Sequence, residues 1–223
     1  MSDFRIHLLC TGGLSSELID EASSKGILID AYSFIETEPV SQPRLRELLK
    51  QQLIAVFTSK NAVKAMGNEG GRDWKIFCIG ETAVQRFGEV AIIGKAQSAK
   101  ELAEEIIRTQ EGREIYFFCG DRRRDELPSL LRKEGFTIHE VPVYRTIATP
   151  RKLTGDYDGV AFFSPSAVDS FFSANGVASG TPLFAIGETT AESIRRRCIN
   201  PVIVGQRPGK DDLIRSMIDY FSI

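Results

Sequence analysis

Several things are scarce in this chain, and each scarcity removes a class of function. Only four cysteines occur in 223 residues, at Cys10, Cys78, Cys119 and Cys198. None forms a C-x-x-C pair, so they read as buried free thiols rather than a disulfide framework or a redox motif. Histidine occurs twice, as His7 and His139, each inside an apolar or alternating stretch that reads as a strand. A Cys/His metal site is not expected, and no Ser-His-Asp or Cys-His set can be assembled. Neither a Walker A pattern nor G-x-G-x-x-G is present, which leaves nucleotide and dinucleotide cofactors without support. No apolar run approaches membrane-spanning length. The opening Met1-Ser2-Asp3-Phe4-Arg5 lacks the pattern of a secretory signal, so a cytoplasmic location is expected. A net charge of −2 excludes a general nucleic-acid-binding field. Any anionic ligand must be held by local groups.

What the chain does have is an internal repeat. Cys10, Glu17, Leu18, Gly26, Ile29 and Thr37 return at one constant offset as Cys119, Glu126, Leu127, Gly135, Ile138 and Thr146. Phe57-Thr58-Ser59 with Ala62-Val63 returns as Phe162-Phe163-Ser164 with Ala167-Val168. Ile79-Gly80-Glu81-Thr82 returns as Ile186-Gly187-Glu188-Thr189. The blocks keep their order, and small loop indels account for the drift in offset. Two similar units of roughly 100 residues predict two similar domains, with a ligand cleft expected between them.

Each repeat reads as strands alternating with helices. In the first the strands are Arg5–Cys10, Gly26–Phe34, Leu53–Phe57, Lys75–Ile79 and Val90–Ile93. In the second they are Glu114–Cys119, Phe136–Val143, Gly159–Phe163, Leu183–Ile186 and Pro201–Val204. Such alternation predicts α/β domains with doubly wound parallel sheets, and five strands each suggest a flavodoxin-like layout. The junction of the repeats, Gln110-Glu111-Gly112-Arg113, is only a short turn. Longer proline-bearing stretches, Ser33–Pro43 and Pro142–Pro150, follow the second strand of each repeat instead. Proline disfavours helix in itself and its predecessor, so both read as extended linkers. The expected domains are therefore crossed: residues 1–36 with 148–223, and residues 40–143, joined by two linker strands at 34–40 and 143–149.

Ligands of open α/β sheets bind beyond the carboxyl ends of the strands, and the repeated motifs fall there. Thr58-Ser59-Lys60-Asn61, Ser164-Pro165-Ser166, Gly80-Glu81-Thr82 and Gly187-Glu188-Thr189-Thr190 each follow a strand and open a helix. Free N–H groups and hydroxyls at helix starts hold carboxylates and phosphates. Ser59, Ser164 and Thr190 read equally as simple helix caps. Cys119-Gly120-Asp121-Arg122-Arg123-Arg124 follows another strand, and its arginines read either as a carboxylate grip or as a solvated face. Tyr144, on the second linker, reads either as a phenol bordering the ligand and able to donate a proton, or as an aromatic packed on the partner linker.

Five segments in order resemble the uroporphyrinogen-III synthase family across nearly the whole chain. They are Phe57-Thr58-Ser59-Lys60-Asn61-Ala62-Val63; Gly120 with Arg124, Leu127 and Pro128; Val143-Tyr144-Arg145-Thr146; Phe163-Ser164-Pro165-Ser166-Ala167-Val168; and Ala185-Ile186-Gly187-Glu188-Thr189-Thr190-Ala191. The resemblance implies two flavodoxin-like domains with crossed connectivity and a two-stranded linker. It implies cyclising dehydration of hydroxymethylbilane, a linear tetrapyrrole with eight carboxylates, to uroporphyrinogen III with ring D inverted. No metal or organic cofactor is implied. Departure of the hydroxyl leaves an azafulvenium-like cation, and attack at the substituted carbon of ring D leads through a spiro intermediate. Such chemistry needs conformational control more than acid catalysis.

By the same resemblance, Tyr144 assists hydroxyl departure. Substrate contacts are implied at Thr58, Ser59, Lys60, Gly80, Thr82, Gly120, Arg124, Ser164, Pro165, Ser166, Gly187, Thr189 and Thr190. A monomer in tetrapyrrole biosynthesis is expected, with transient contact to the preceding pathway enzyme and no nucleic-acid or membrane partner. The chain departs from the family in two places. Thr11-Gly12-Gly13 stands where Thr-Arg is frequent, and Thr82 sits one position away from its counterpart. The alternatives are a non-catalytic two-lobed binding protein for small anions and a receiver-type interaction module. The latter needs a phospho-acceptor Asp at a strand end, where this chain carries Cys, Ser or Gly.

Overall fold

Strands of a parallel sheet covered by helices on both faces must be apolar along their whole length, and the central strands here are. The computed structural model describes residues 6–41, 43, 45–67, 70, 73–110, 112–207 and 209–222. In chain order the elements are β1 (Ile6–Cys10), α1 (Ser16–Ser24), β2 (Ile27–Ala31), β3 (Ile35–Pro39), α2 (Leu45–Leu48), β4 (Ile54–Phe57), α3 (Lys60–Ala65), β5 (Lys75–Ile79), α4 (Thr82–Phe87), β6 (Ile92–Ala96) and α5 (Ala99–Thr109). There follow β7 (Glu114–Gly120), α6 (Glu126–Lys133), β8 (Thr137–Ala148), β9 (Gly159–Phe162), α7 (Pro165–Phe172), β10 (Leu183–Ala185), α8 (Glu188–Arg195), β11 (Val202–Val204) and α9 (Lys210–Phe221). The expected strand start at Arg5, the opening five residues and Glu111 of the repeat junction lie outside the described residues.

The chain divides into two compact units, residues 1–36 with 147–223 and residues 37–146. In the first unit the sheet order is β11-β10-β9-β1-β2, with every neighbouring pair parallel. In the second it is β3-β8-β7-β4-β5-β6, parallel from β8 to β6. In chain order the first unit follows the flavodoxin order 2-1-3-4-5; the second has the same spatial pattern with β7 and β8 in the places of its first and second strands and β3 added at the edge. The βαβ that opens each repeat thus completes the sheet of the other: β1 joins β9, and β7 joins β4. Both passages of the chain from unit to unit fall inside strands, β3 and β8.

Period-two alternation sorts side chains onto the two faces of each sheet. In the first unit Leu8, Cys10 and Ala161 pack under α1 and α9, while Leu9, Val160 and Phe162 pack under α7 and α8. In the second, Ala55, Phe57 and Phe118 share one core, while Val56, Phe117 and Cys119 share the other with α5 and α6. The ring of Phe118 stacks on Phe57 at 4.9 Å and meets Trp74 at 4.9 Å. Each such pair adds about 0.5–1.5 kcal/mol beyond its buried area.

Three strands differ from the expectation by more than one residue. The second strand stops at Ala31, with β3 a separate strand, whereas Gly26–Phe34 was expected as one. β6 begins at Ile92 instead of Val90, because Glu89–Ala91 forms a 3-10 turn on which Val90 is fully exposed. β8 runs on to Ala148, through the proline-bearing stretch expected as linker. Pro142 fits there because proline needs only an extended φ and a position without a required N–H.

Candidate active site

In a 2-1-3-4-5 sheet the strand order reverses between the first and third strands, and their carboxyl ends frame the binding crevice. In the second unit these are β7 and β4. β4 ends at Phe57, and Ser59, in extended conformation, caps α3 by accepting from Asn61 N at 3.2 Å. The Ser59 Oγ also lies 3.2 Å from the Tyr144 hydroxyl.

Tyr144 reaches that position through a break in register. Cys119 pairs with Pro142, but Gly120 pairs with Tyr144, so β8 carries one extra residue. Such a bulge re-aims the side chain that follows it. Val141, Val143 and Tyr144 consequently all pack on the same core, which simple alternation would forbid for the last two. The ring then lies over Gly120, where an added Cβ would stand 2.4 Å from the Tyr144 Cζ. Only glycine permits that approach. Asp121 ties the bulge down: its N–H donates to the Tyr144 carbonyl at 3.1 Å, and its Oδ1 accepts from Thr146 N at 2.9 Å.

The other predicted residues of this unit gather at the same strand ends. Thr58 is half-buried, and Lys60 is exposed as the first residue of α3. Gly80 turns the chain after β5 with φ 74°, and Thr82 opens α4 half-buried. Glu81 makes no cap bond and pairs instead with Lys95 at 2.6 Å. The three arginines divide. Arg123 is bound to Glu140 at 2.6 Å and Asp125 at 2.7 Å, with Arg132 also on Glu140, so it belongs to the framework. The Arg123 bond holds the Glu140 carboxyl below its ordinary range. Arg124 is exposed and has no ion pair among the described residues. Burial, with the charge of Glu140 adding, pushes the Cys119 thiol up to about 11, which removes it as a nucleophile at neutral pH.

In the first unit the corresponding strands are β1 and β9. Thr11 is buried and spends both its N–H and its hydroxyl on the Ala161 carbonyl, each at 2.9 Å. Gly12 follows, buried. Ser164 caps α7 through Ala167 N at 3.1 Å, with Pro165 in the first turn and Ser166 half-buried behind it. The fixed φ of Pro165 suits that position. Gly187 caps α8 by backbone alone, its carbonyl accepting from Thr190 N at 3.1 Å and Ala191 N at 3.0 Å. Thr189 is exposed and Thr190 is 1% exposed. Thr190 is thus the third residue of α8, set into the core, and not its cap.

Tyr144 therefore meets both Ser59 and Gly120; Thr58, Lys60, Gly80, Thr82 and Arg124 follow strand ends of the same unit, and Ser164, Pro165, Ser166, Gly187, Thr189 and Thr190 follow those of the first. Two positions escaped the sequence reading: Asp121, which orders the bulge, and Lys210, whose Nζ lies 4.6 Å from the centre of the Phe163 ring. The signal for Asp121 was its place beside Gly120; none pointed to Lys210. A cavity of about 200 Å³ lined by Leu153, Tyr157, Phe171 and Asn175 opens before β9, away from the carboxyl ends. Among the described residues no group of three or more His, Cys, Asp or Glu side chains converges on a metal position, and no helix is long and apolar enough to cross a membrane.

The family model described as HEM4, uroporphyrinogen-III synthase HemD, matches residues 16–215. The crystal structure of uroporphyrinogen-III synthetase from Helicobacter pylori 26695 is similar with TM-score 0.69 at 14% identity, over 96% of this chain and 99% of that one. A mutant uroporphyrinogen III synthase from the extremely thermophilic bacterium Thermus thermophilus gives TM-score 0.58 at 16% identity, over 96% and 98%. No curated protein is detectably similar in sequence. At these identities the structural likeness speaks for the fold, and the family match speaks for descent. Because that match spans nearly all of both repeats, the chain belongs to the uroporphyrinogen-III synthase (HemD) family.

Proposed function

We propose that the chain closes hydroxymethylbilane to uroporphyrinogen III, inverting ring D, with Tyr144 assisting departure of the hydroxyl. The observation that carries the proposal is the Tyr144 phenol held 3.2 Å from Ser59 Oγ at the carboxyl end of β4. Ser59 Oγ accepts from Asn61 N. Its own O–H is then free to donate to the phenol oxygen, which leaves the phenol proton for the leaving hydroxyl. The C–O bond of the pyrrolic CH₂OH breaks as the ring nitrogen donates its lone pair, and the hydroxyl leaves as water. The substituted carbon of ring D attacks the resulting cation, and the spiro intermediate reopens and closes with the ring inverted. Proton transfer from a positioned phenol contributes at the lower end of general acid catalysis, about 10²-fold. Most of the rate comes from holding the chain in a reactive conformation.

Eight carboxylates require many donors. In this reading they are supplied by Thr58, Ser59, Lys60, Gly80, Thr82, Gly120 and Arg124 in the second unit, and by Ser164, Pro165, Ser166, Gly187, Thr189 and Thr190 in the first. Thr190, being buried, contributes by shaping the start of α8 more than through its hydroxyl. The enzyme is read as a cytoplasmic monomer that takes its substrate from the enzyme making it. The test is incubation with enzymatically generated hydroxymethylbilane, followed by separation of product isomers. The type III isomer is expected; formation of the spontaneous type I isomer alone would leave a polycarboxylate-binding protein and defeat the proposal.

A further inference from the structure

β7 ends at Gly120 and the main chain turns away at Asp121, yet β8 runs on to Ala148. Past that end, the N–H groups on this side of β8 lose the strand that would pair them. In a parallel ladder a residue donates to the carbonyl just before its partner and accepts from the N–H just after it. Asp121 does both across Arg145, with one replacement. Its N–H donates to the Tyr144 carbonyl at 3.1 Å, whereas Thr146 N donates at 2.9 Å to the side-chain Oδ1 where a backbone carbonyl would stand. The carboxylate thus takes the place of the missing strand and carries the ladder one step further. Tyr144 is held on both sides, by the pairing to Gly120 and by Asp121. All of these groups lie in one unit, residues 37–146.

We infer that Asp121 is a positioning residue for the proposed reaction: its carboxylate fixes the backbone that aims the Tyr144 phenol at Ser59. The inference rests on the proposed role of Tyr144 and adds the group that holds the phenol in place. The bulge in β8 makes such a group necessary. An extra residue relaxes into regular alternation unless the backbone after it is tied, and regular alternation turns Tyr144 away from the core that Val143 faces. Gly120 does not supply the tie, because a glycine permits the approach of the ring without enforcing it. The phenol already stands 3.2 Å from Ser59 Oγ, so a small backbone shift breaks that bond. Asp121 acts through Tyr144, and its loss therefore falls on kcat.

The test compares Asp121→Ala, Asp121→Asn, Tyr144→Phe and the double variant Asp121→Ala with Tyr144→Phe against the parent enzyme on hydroxymethylbilane. Asp121 is exposed, so these variants keep their cores. Asp121→Ala is expected to lower kcat about tenfold, a part of the roughly 10²-fold assigned to the phenol, with KM within about twofold. Asp121→Asn keeps an acceptor oxygen in the same place and holds kcat within about threefold of the parent. In the Tyr144→Phe background Asp121→Ala is expected to change kcat by less than about twofold, because the group it positions is gone. A second readout needs no turnover. The Tyr144 ring lies over Gly120, so its ring current displaces the Gly120 α-proton resonances. Asp121→Ala should move them toward ordinary glycine values, and Asp121→Asn should leave them in place. Unchanged kcat or unchanged Gly120 resonances in Asp121→Ala overturn the inference. So do a loss confined to KM, an Asn variant as slow as the Ala variant, and an equal loss in the Tyr144→Phe background. Failure of the parent enzyme to make type III, or a normal rate in Tyr144→Phe, overturns the proposed function instead, and the Gly120 resonances then still decide whether Asp121 sets the ring.

Discussion

Gly120 and Tyr144 illustrate how much can depend on one hydrogen atom. The phenol ring occupies the space of the absent Cβ at Gly120, within 2.4 Å of it. Gly120→Ala should displace the ring, cost about 1–3 kcal/mol of stability as an overpacked contact, and lower turnover at least as far as Tyr144→Phe does. Tyr144→Phe should itself lower kcat by about 10²-fold with an unchanged melting temperature. Steady-state kinetics beside thermal melts separates the two; a Tyr144→Phe enzyme of normal rate removes the phenol from the mechanism. Tyr144 was singled out in the sequence by the motif around it and its place after a proline. Its contact with Ser59, 85 positions away, was not legible there, although Ser59 itself read as a helix cap or a substrate donor. Strict alternation from Val143 turns Tyr144 away from that core, and the extra residue in β8 that reverses this leaves no mark in composition or period.

At the scale of elements, α6 is anchored to β8 by charge. Arg123 and Arg132 both hold Glu140, and Arg123 also holds Asp125 at the start of the helix. The folded Glu140 carboxyl titrates below its ordinary value, first because of its bond to Arg123. A depressed folded pKa stabilises the fold above the unfolded pKa of the carboxylate, and the contribution disappears as pH falls through the folded value. Denaturant midpoints measured from pH 7 down to about pH 3 should therefore drop less steeply for Glu140→Gln than for the parent chain. Parallel slopes would show that the anchor contributes nothing. Caps behaved as local chemistry dictates, with Ser59 and Ser164 each bonding a helix N–H. Thr190 did not, because Gly187 starts α8 earlier and turns the threonine into the core. β6 was misplaced because an apolar Val90 reads as strand, although it stands fully exposed on a turn.

At the scale of the molecule, the repeat in sequence and the unit in space are different pieces of chain. Among the described residues the cores of the second unit draw on residues between Leu45 and Tyr144, and those of the first on its two flanking segments. A fragment of residues 37–146 should therefore unfold cooperatively in urea by circular dichroism. A fragment of the first repeat, residues 1–112, should not, since it holds β1 and β2 without β9 and β4 to β6 without β7. The opposite outcome would show that the repeats fold as units. The repeat, the apolar periodicity and the placement of prolines determined by themselves the fold class and the crossed connectivity, because these follow from residues neighbouring in the chain, and five ordered motifs carried the resemblance to the family. Only the tertiary structure decided that Ser59 meets Tyr144 over Gly120, that Thr190 is buried, and that the Asp121 carboxylate accepts from Thr146 N. Those contacts join positions far apart in sequence, and they depend on a bulge, a missing Cβ and a ring face whose effects exist only once the strands are packed side by side.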